Sequence, residues 1–209
     1  MKRAIIISIS SDIGISLAKE WLGLGVEVSG TYRTYSSDIE ELERLGVKLV
    51  HCDLSMHDSV SKAINYLSAI NNSWDALILA PGLQDPIGKF ENCDYGEWEG
   101  SILVNFIAQM KIVHALLPFR QKNNSNYSTV LFFAGGGTNN ATLSYSAYTI
   151  SKISLIKMTE LLDAEIPDTK FIIIGPGWVK TKIHESTLNS PENAGENYLK
   201  TQSMLSSKD

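Results

Sequence analysis

Short apolar runs and helical patterns alternate along the whole chain. Residues 4–9, 26–30, 47–51, 76–80, 129–134 and 171–174 are apolar at consecutive positions and rich in β-branched or aromatic side chains. Runs of that length and character suit strands buried on both faces, as in a parallel sheet. Between them the apolar positions take up helical spacing, near 12–23, 37–45, 56–70, 96–117 and 146–164. Strand–helix alternation of this kind predicts right-handed crossovers with helices on both faces of one sheet. The expectation is a three-layer α/β domain with a doubly wound parallel sheet of about six strands and ligands at its carboxyl edge.

Three segments break the rhythm. The helix near 96–117 is apolar on more than one face, with Trp98, Phe106, Ile107, Met110, Val113 and Leu117 all around it. A solvent-facing helix shows a single stripe, so this one is expected to be deeply packed or shared between subunits. Together with 148–162 it points to a homo-oligomer, a dimer or tetramer. The stretch 81–95 carries Pro81, Gly82, Pro86 and Gly88 and is read as a long loop crossing the carboxyl edge. The stretch 182–209 is polar without a seventh strand pattern, and is read as a substrate loop and polar tail. No repeat or linker divides residues 1–209, so a single domain is expected.

Composition narrows the function. The chain has 209 residues, 44% hydrophobic and 20% charged, enough for one domain with a core. A net charge of −5 argues against nucleic acid. Cys52 and Cys93 have neither metal-ligand nor disulfide spacing, so no metal is expected and a reduced, cytoplasmic setting fits. The opening apolar run ends at Ser10-Ser11-Asp12, too early for a signal peptide. No run approaches the ~18 apolar residues of a membrane span. A small-molecule substrate is compatible with these exclusions.

Candidate chemistry lies where strands end. The first strand runs through Ile7 into Ser8-Ile9-Ser10-Ser11-Asp12-Ile13-Gly14 before a helix. Such a turn aims backbone N–H groups and the helix dipole at a phosphate, and it equally suits an ordinary helix start capped by Asp12. About twenty residues on, an acid would bind a ribose 2′-hydroxyl. Here Gly30-Thr31-Tyr32-Arg33-Thr34 contains none. Arg33 is placed to meet a 2′-phosphate, or is a plain surface arginine. Asp53, beside Leu54, is placed to accept from an adenine amino group or to cap the next helix. Asn105, inside an apolar helix, either holds a water in a proton relay or satisfies a buried backbone group.

Tyr148 and Lys152 share one helical face. A phenol with a pKa of ~10 must fall toward ~7 to exchange protons usefully, at a cost of ~4 kcal/mol. One cation at ~4 Å in an effective dielectric of ~20 supplies about that much. After the last apolar run, Pro176-Gly177-Trp178-Val179-Lys180-Thr181 makes a tight turn and offers a hydroxyl at the carboxyl edge.

In this order the pieces resemble the short-chain dehydrogenase/reductase family, from about residue 5 to 183. The family's Thr-Gly-x-x-x-Gly-x-Gly turn falls on Ile7, Ser8, Asp12 and Gly14. Its adenine-site acid falls on Asp53, and its Asn-Ala-Gly triplet on Ala80, Pro81 and Gly82. Its helix asparagine falls on Asn105, its Tyr-x-x-x-Lys on Tyr148 and Lys152, and its Pro-Gly-x-Val-x-Thr on Pro176, Gly177, Val179 and Thr181. The resemblance implies the strand order 3-2-1-4-5-6. It also implies an oxidoreductase using NADP(H), with NAD possible, on a small alcohol or ketone. Tyr148 would be the general acid/base. Lys152 would lower its pKa and hold the nicotinamide ribose, with Asn105 as relay and Thr181 at the carboxamide. Three departures stand out. Glycine is lost at Ser8 and Asp12, and the triplet has no Asn. The position of the catalytic serine falls on Gly135, with Thr138 the nearest hydroxyl. Loss of one such donor costs ~10²–10³ in rate. The family's last helix and seventh strand are also missing from the pattern. A nucleotide-sugar epimerase or dehydratase would use the same residues, and an eroded site would suit a dinucleotide-sensing or partner-binding protein.

Overall fold

A computed structural model describes residues 1–123, 126–136, 138–177 and 179–206. Six strands form one sheet: β1 Arg3–Ile7, β2 Glu27–Tyr32, β3 Lys48–His51, β4 Ala76–Leu79, β5 Asn126–Phe133 and β6 Thr169–Ile174. Their order is β3-β2-β1-β4-β5-β6, and every neighbour pair is parallel. The only addition among the described residues is a two-residue ribbon, Lys122–Asn123, antiparallel to the start of β5. The order reverses at β1 and β4, and a crevice opens at the carboxyl ends of these two strands.

Alternation along β1 sorts the core into two layers. Ile5 and Ile7 face a cluster with Val60, Ala63 and Leu67 of α3 (His57–Ile70), Ile112 and Leu116 of α5 (Ala108–Leu116), and Leu155 of α6 (Ser146–Glu165). Ala4 and Ile6 face Ala18 of α1 (Asp12–Gly23) and Ile39 and Leu42 of α2 (Ser37–Arg44). The second layer thins toward β6, where Lys170 and Ile174 are exposed.

The apolar helix is one run of 25 residues, Tyr95–Phe119. Its length and apolarity would suit a membrane span, yet Ala108, Ile112, Val113 and Leu116 belong to the core. It comprises α4 (Tyr95–Ile102), a π-helical stretch at Leu103–Ile107, α5 and a 3₁₀ turn at Leu117–Phe119. A π-bulge in a helix often marks a functional site, and this one contains Asn105.

The carboxyl segment is not the loop and tail that its polarity suggests. It folds into α7 (Glu185–Leu188), α8 (Pro191–Ala194) and α9 (Glu196–Ser206). Ser190-Pro191 is a helix-start signal, with proline at the first turn. Thr187, Ala194 and Thr201 are buried, and Ala194 and Tyr198 pack on Ile87 and Tyr145.

Candidate active site

The turn after β1 has one of the pattern's three glycines, Gly14, and a serine in left-handed backbone. Ser8 adopts φ 58°, a left-handed conformation that glycine takes freely and serine takes at a cost of ~1 kcal/mol. Two hydrogen bonds hold it there. Ser8 N–H donates to Thr31 Oγ1 at 3.0 Å, and Ser11 N–H donates to the Ser8 carbonyl at 2.9 Å. Gly14 is fixed by contact: a Cβ there would stand 2.7 Å from the Ile9 carbonyl oxygen and 2.8 Å from that of Ser8.

The cap of α1 is Ser11 rather than Asp12, because the Ser11 hydroxyl accepts from Gly14 N–H at 3.0 Å. The N–H groups of Asp12 and Ile13 have no hydrogen-bond partner among the described residues, which leaves them for an anion at the helix start. The Asp12 carboxylate turns to Lys182. Its Oδ2 accepts the Lys182 backbone N–H at 2.7 Å, and its Oδ1 lies 3.6 Å from Nζ.

Beyond the ends of β2 and β3, Arg33 is exposed and lies close enough to influence Asp53. Asp53 does not cap α3, whose N-cap is Met56 without a side-chain bond. Its carboxylate instead accepts from Ser55 N–H at 2.9 Å and from Ser55 Oγ at 2.7 Å. The Ser55 hydroxyl bond is the main reason that its pKa falls below the ordinary carboxylate value. The backbone bond, Arg33 and His51 also lower it. Leu54 is a core residue.

Ala80, Pro81 and Gly82 continue from β4. Ala80 N–H donates to the Ile7 carbonyl at 3.1 Å, and the Pro81 carbonyl accepts from Lys152. A Cβ on Gly82 would stand 2.6 Å from Ile183 Cδ1, so the segment after β6 lies directly over this loop. Asn105 satisfies backbone groups of the loop after β4. Its Oδ1 accepts Leu83 N–H at 2.9 Å, and its Nδ2 donates to the Leu83 carbonyl at 2.7 Å and to Ser101 Oγ at 3.2 Å. Its own carbonyl accepts from Gln109 Nε2 at 2.6 Å. The two amide hydrogens are therefore committed, one to the loop after β4 and one to Ser101 of α4.

Tyr148 and Lys152 come together on α6 as their spacing predicts. The Lys152 ammonium lies over the Tyr148 ring, 5.6 Å from its centroid. It donates to the carbonyls of Phe133 at 3.0 Å and Pro81 at 3.3 Å, bridging the ends of β5 and β4. Burial pushes Lys152 down to about 8 and Tyr148 up to about 12. In this arrangement desolvation raises the phenol, and the ammonium donates to the two carbonyls. Gly135 explains where the phenol sits. A Cβ at Gly135 would stand 2.6 Å from the Tyr148 hydroxyl and Cε1 and 2.7 Å from Cζ. The phenol fills the space that a side chain at 135 would need. No hydrogen bond links Thr138 to Tyr148 among the described residues.

The segment after β6 reaches the loops that follow β1 and β4. Pro176 is exposed, Gly177 takes φ 73°, and the Val179 carbonyl accepts from Thr181 Oγ1 at 3.2 Å. Trp178 lies outside the described residues. Farther on, Tyr145 Oη and Thr187 Oγ1 are 2.8 Å apart, Thr187 Oγ1 donates to Gln84 Oε1 at 3.0 Å, and Ser186 Oγ donates to Asp85 Oδ2 at 2.6 Å. Sequence reasoning missed Lys182, Ile183 and this polar cluster. Their partners lie from 42 to 170 residues away, and no local pattern marks them.

Known proteins share the pattern. Residues 8–207 match the family model described as enoyl-(acyl carrier protein) reductase. The oxidoreductase YIR035C of Saccharomyces cerevisiae is 23% identical over 97% of this chain and 79% of its own. Its crystal structure superposes with a TM-score of 0.83 over 98% of this chain and 82% of that one. A fatty acyl-CoA reductase of Acinetobacter baylyi is 29% identical over 93% of this chain and 70% of its own. The oxidoreductase C30D10.05c of Schizosaccharomyces pombe is 27% identical, but the match spans 55% of this chain and only 45% of that protein. KRED1-Pglu, 21% identical, superposes with a TM-score of 0.85 over 98% of this chain and 86% of its own. The structural likenesses show a common fold.

Proposed function

The chain belongs to the short-chain dehydrogenase/reductase family, and from that premise we propose that it is an NADP(H)-linked oxidoreductase that reduces a small ketone to its alcohol, with Tyr148 as proton donor. The observation that carries this reading is the Tyr148–Lys152 pair, buried at the carboxyl ends of β4 and β5.

The residues present fit a dinucleotide. Asp12 and Ile13 offer free N–H groups at a helix start, and Gly14 lets α1 pack against the turn. Arg33 is exposed with no carboxylate in 30–34, and its guanidinium suits a 2′-phosphate. Asp53 is held ionised and suits an adenine amino group. Ala80, Pro81 and Gly82 line the crevice, and Thr181 would meet the carboxamide. When bound, the cofactor supplies the hydride.

The protein's part is positioning and proton transfer. With its pKa raised by burial, the Tyr148 phenol is protonated at neutral pH, the state needed to donate to a carbonyl oxygen. Lys152 offsets the phenolate left behind. Asn105 acts as a positioning residue through Leu83. The exposed stripe of Ile107, Ile150, Ile153 and Leu161 supports self-association through the central helices, which sedimentation at micromolar protein tests. Tyr148→Phe removes only the hydroxyl. NADPH oxidation with a panel of ketones should fall by at least ~10², while NADPH fluorescence titration stays unchanged. Unchanged turnover would remove Tyr148 from the mechanism.

A further inference from the structure

Asp12 and Lys182 meet across 170 positions of sequence at the mouth of the phosphate turn. Asp12 is the first residue of α1, where the family pattern has glycine and where the unpaired N–H groups point. Its carboxylate takes both donors of Lys182, the backbone N–H at 2.7 Å and the ammonium at 3.6 Å. Ile183 presses on Gly82 in the neighbouring loop. One short segment is thus tied to the loops after both β1 and β4, the two strands that flank the crevice. Beside the pair lies a cleft of about 310 Å³ lined by Asp12, Lys180, Thr181, Lys182, Glu185 and Leu205.

The two side chains remain 39% and 52% exposed. An exposed ion pair contributes little to stability, so the fold has slight need of this one. Its position matters more. A phosphate bound beside the Asp12 carboxylate competes with it for the Lys182 ammonium, and each carboxylate–phosphate contact near 4 Å costs about fivefold in affinity even at a water-like dielectric.

We propose that Asp12 and Lys182 form an exchangeable pair: the pyrophosphate of the dinucleotide takes Lys182 from the Asp12 carboxylate, so Lys182 is a phosphate-binding residue and Asp12 sets cofactor affinity. This rests on the dinucleotide reading above. Lys182 compensates within the same segment for a charge that the turn would otherwise present to the phosphates. The pyrophosphate is common to both nicotinamide dinucleotides, so the pair acts on them alike, unlike Arg33.

The test is fluorescence titration of NADPH and NADH into the full chain, as wild type, Asp12→Asn, Lys182→Gln and the double variant, at low and high salt. Asp12→Asn should tighten both dinucleotides by about fivefold or more, with a smaller gain at high salt. Lys182→Gln should weaken both severalfold in the Asp12→Asn background and clearly less in the wild type, where the ammonium is already engaged. That non-additivity is the signature of exchange. Unchanged affinity in Asp12→Asn, or an equal loss from Lys182→Gln in both backgrounds, would overturn the pair's role and leave the dinucleotide reading standing. Failure of all four proteins to bind either dinucleotide would overturn that reading and the pair with it.

Discussion

The two ends of the crevice depart from the family pattern in opposite senses. At the phosphate end side chains are added, Ser8 and Asp12 in place of glycine. At the catalytic end a side chain is removed, Gly135 in place of serine. At the first end Ser8 holds a left-handed backbone, φ 58°, and the charge of Asp12 is met by Lys182. At the second the Tyr148 phenol occupies the space beside Gly135. An exposed turn absorbs an extra group if a partner segment can reach it. A packed interior closes over a missing group with its nearest large neighbour.

The largest test of this contrast is at Lys152, whose ammonium bridges β4 and β5. Lys152→Ala should lower turnover by at least ~10² and weaken NADPH as well, the reverse of the gain expected at Asp12. Steady-state kinetics with a parallel fluorescence titration would separate the two effects. A loss of turnover with undiminished affinity would confine Lys152 to the proton step.

The same residue predicts a pH dependence of stability. Lys152 is pushed from the ordinary 10.5 to about 8 by burial, so between those values the unfolded chain binds more protons than the folded one. Stability therefore rises with pH through this window, and below about pH 8 the full cost of the buried charge is present, of order 3 kcal/mol at most. In urea titrations from pH 7 to 10.5, wild type should gain on Lys152→Met by up to about that much. A constant difference would mean that the ammonium is not desolvated as the structure has it.

Gly135→Val should cost about 1–3 kcal/mol through overpacking against Tyr148. For the same reason, restoring a hydroxyl with Gly135→Ser should displace the phenol, so the missing serine cannot simply be put back. Gly82→Ala meets only the flexible end of Ile183 and should cost less than Gly135→Val. Equal urea midpoints for Gly135→Val and wild type would show that Tyr148 yields freely. The smallest effect is expected at Ser8. Ser8→Gly relieves a left-handed serine and should raise stability by up to about 1 kcal/mol, which thermal unfolding can resolve.

What was legible in the sequence follows the same contrast. Buried strands announce themselves by continuous apolar runs, so the parallel sheet could be read, while its strand order came only with the family resemblance. The first run was read two residues too long because Ser8 and Ile9 already belong to the turn. Tyr148 and Lys152 could be paired because helical spacing places them together. Asn105 was readable as a buried polar group in need of a partner, but the partner, Leu83, was not. The π-helical stretch has no simple sequence signal. The cap of α1 was assigned to the more conspicuous Asp12, although Ser11 stands three residues before Gly14 as a capping serine should. Asp12–Lys182 and Tyr145–Thr187–Gln84 were invisible because each joins common residues far apart in the chain. The helices α7–α9 hide only a few residues each, so their polarity outweighed the Ser190-Pro191 signal.

The central claim is that hydride and proton are delivered to a carbonyl beside Tyr148. Incubating the protein with NADPH deuterated at the transferred C4 position and a panel of small ketones, then analysing the alcohols by mass spectrometry, tests it directly. Deuterium should appear on the carbinol carbon with wild type and drop at least ~100-fold with Tyr148→Phe. Label transfer equal in the two proteins, or none from wild type that binds NADPH, would contradict it.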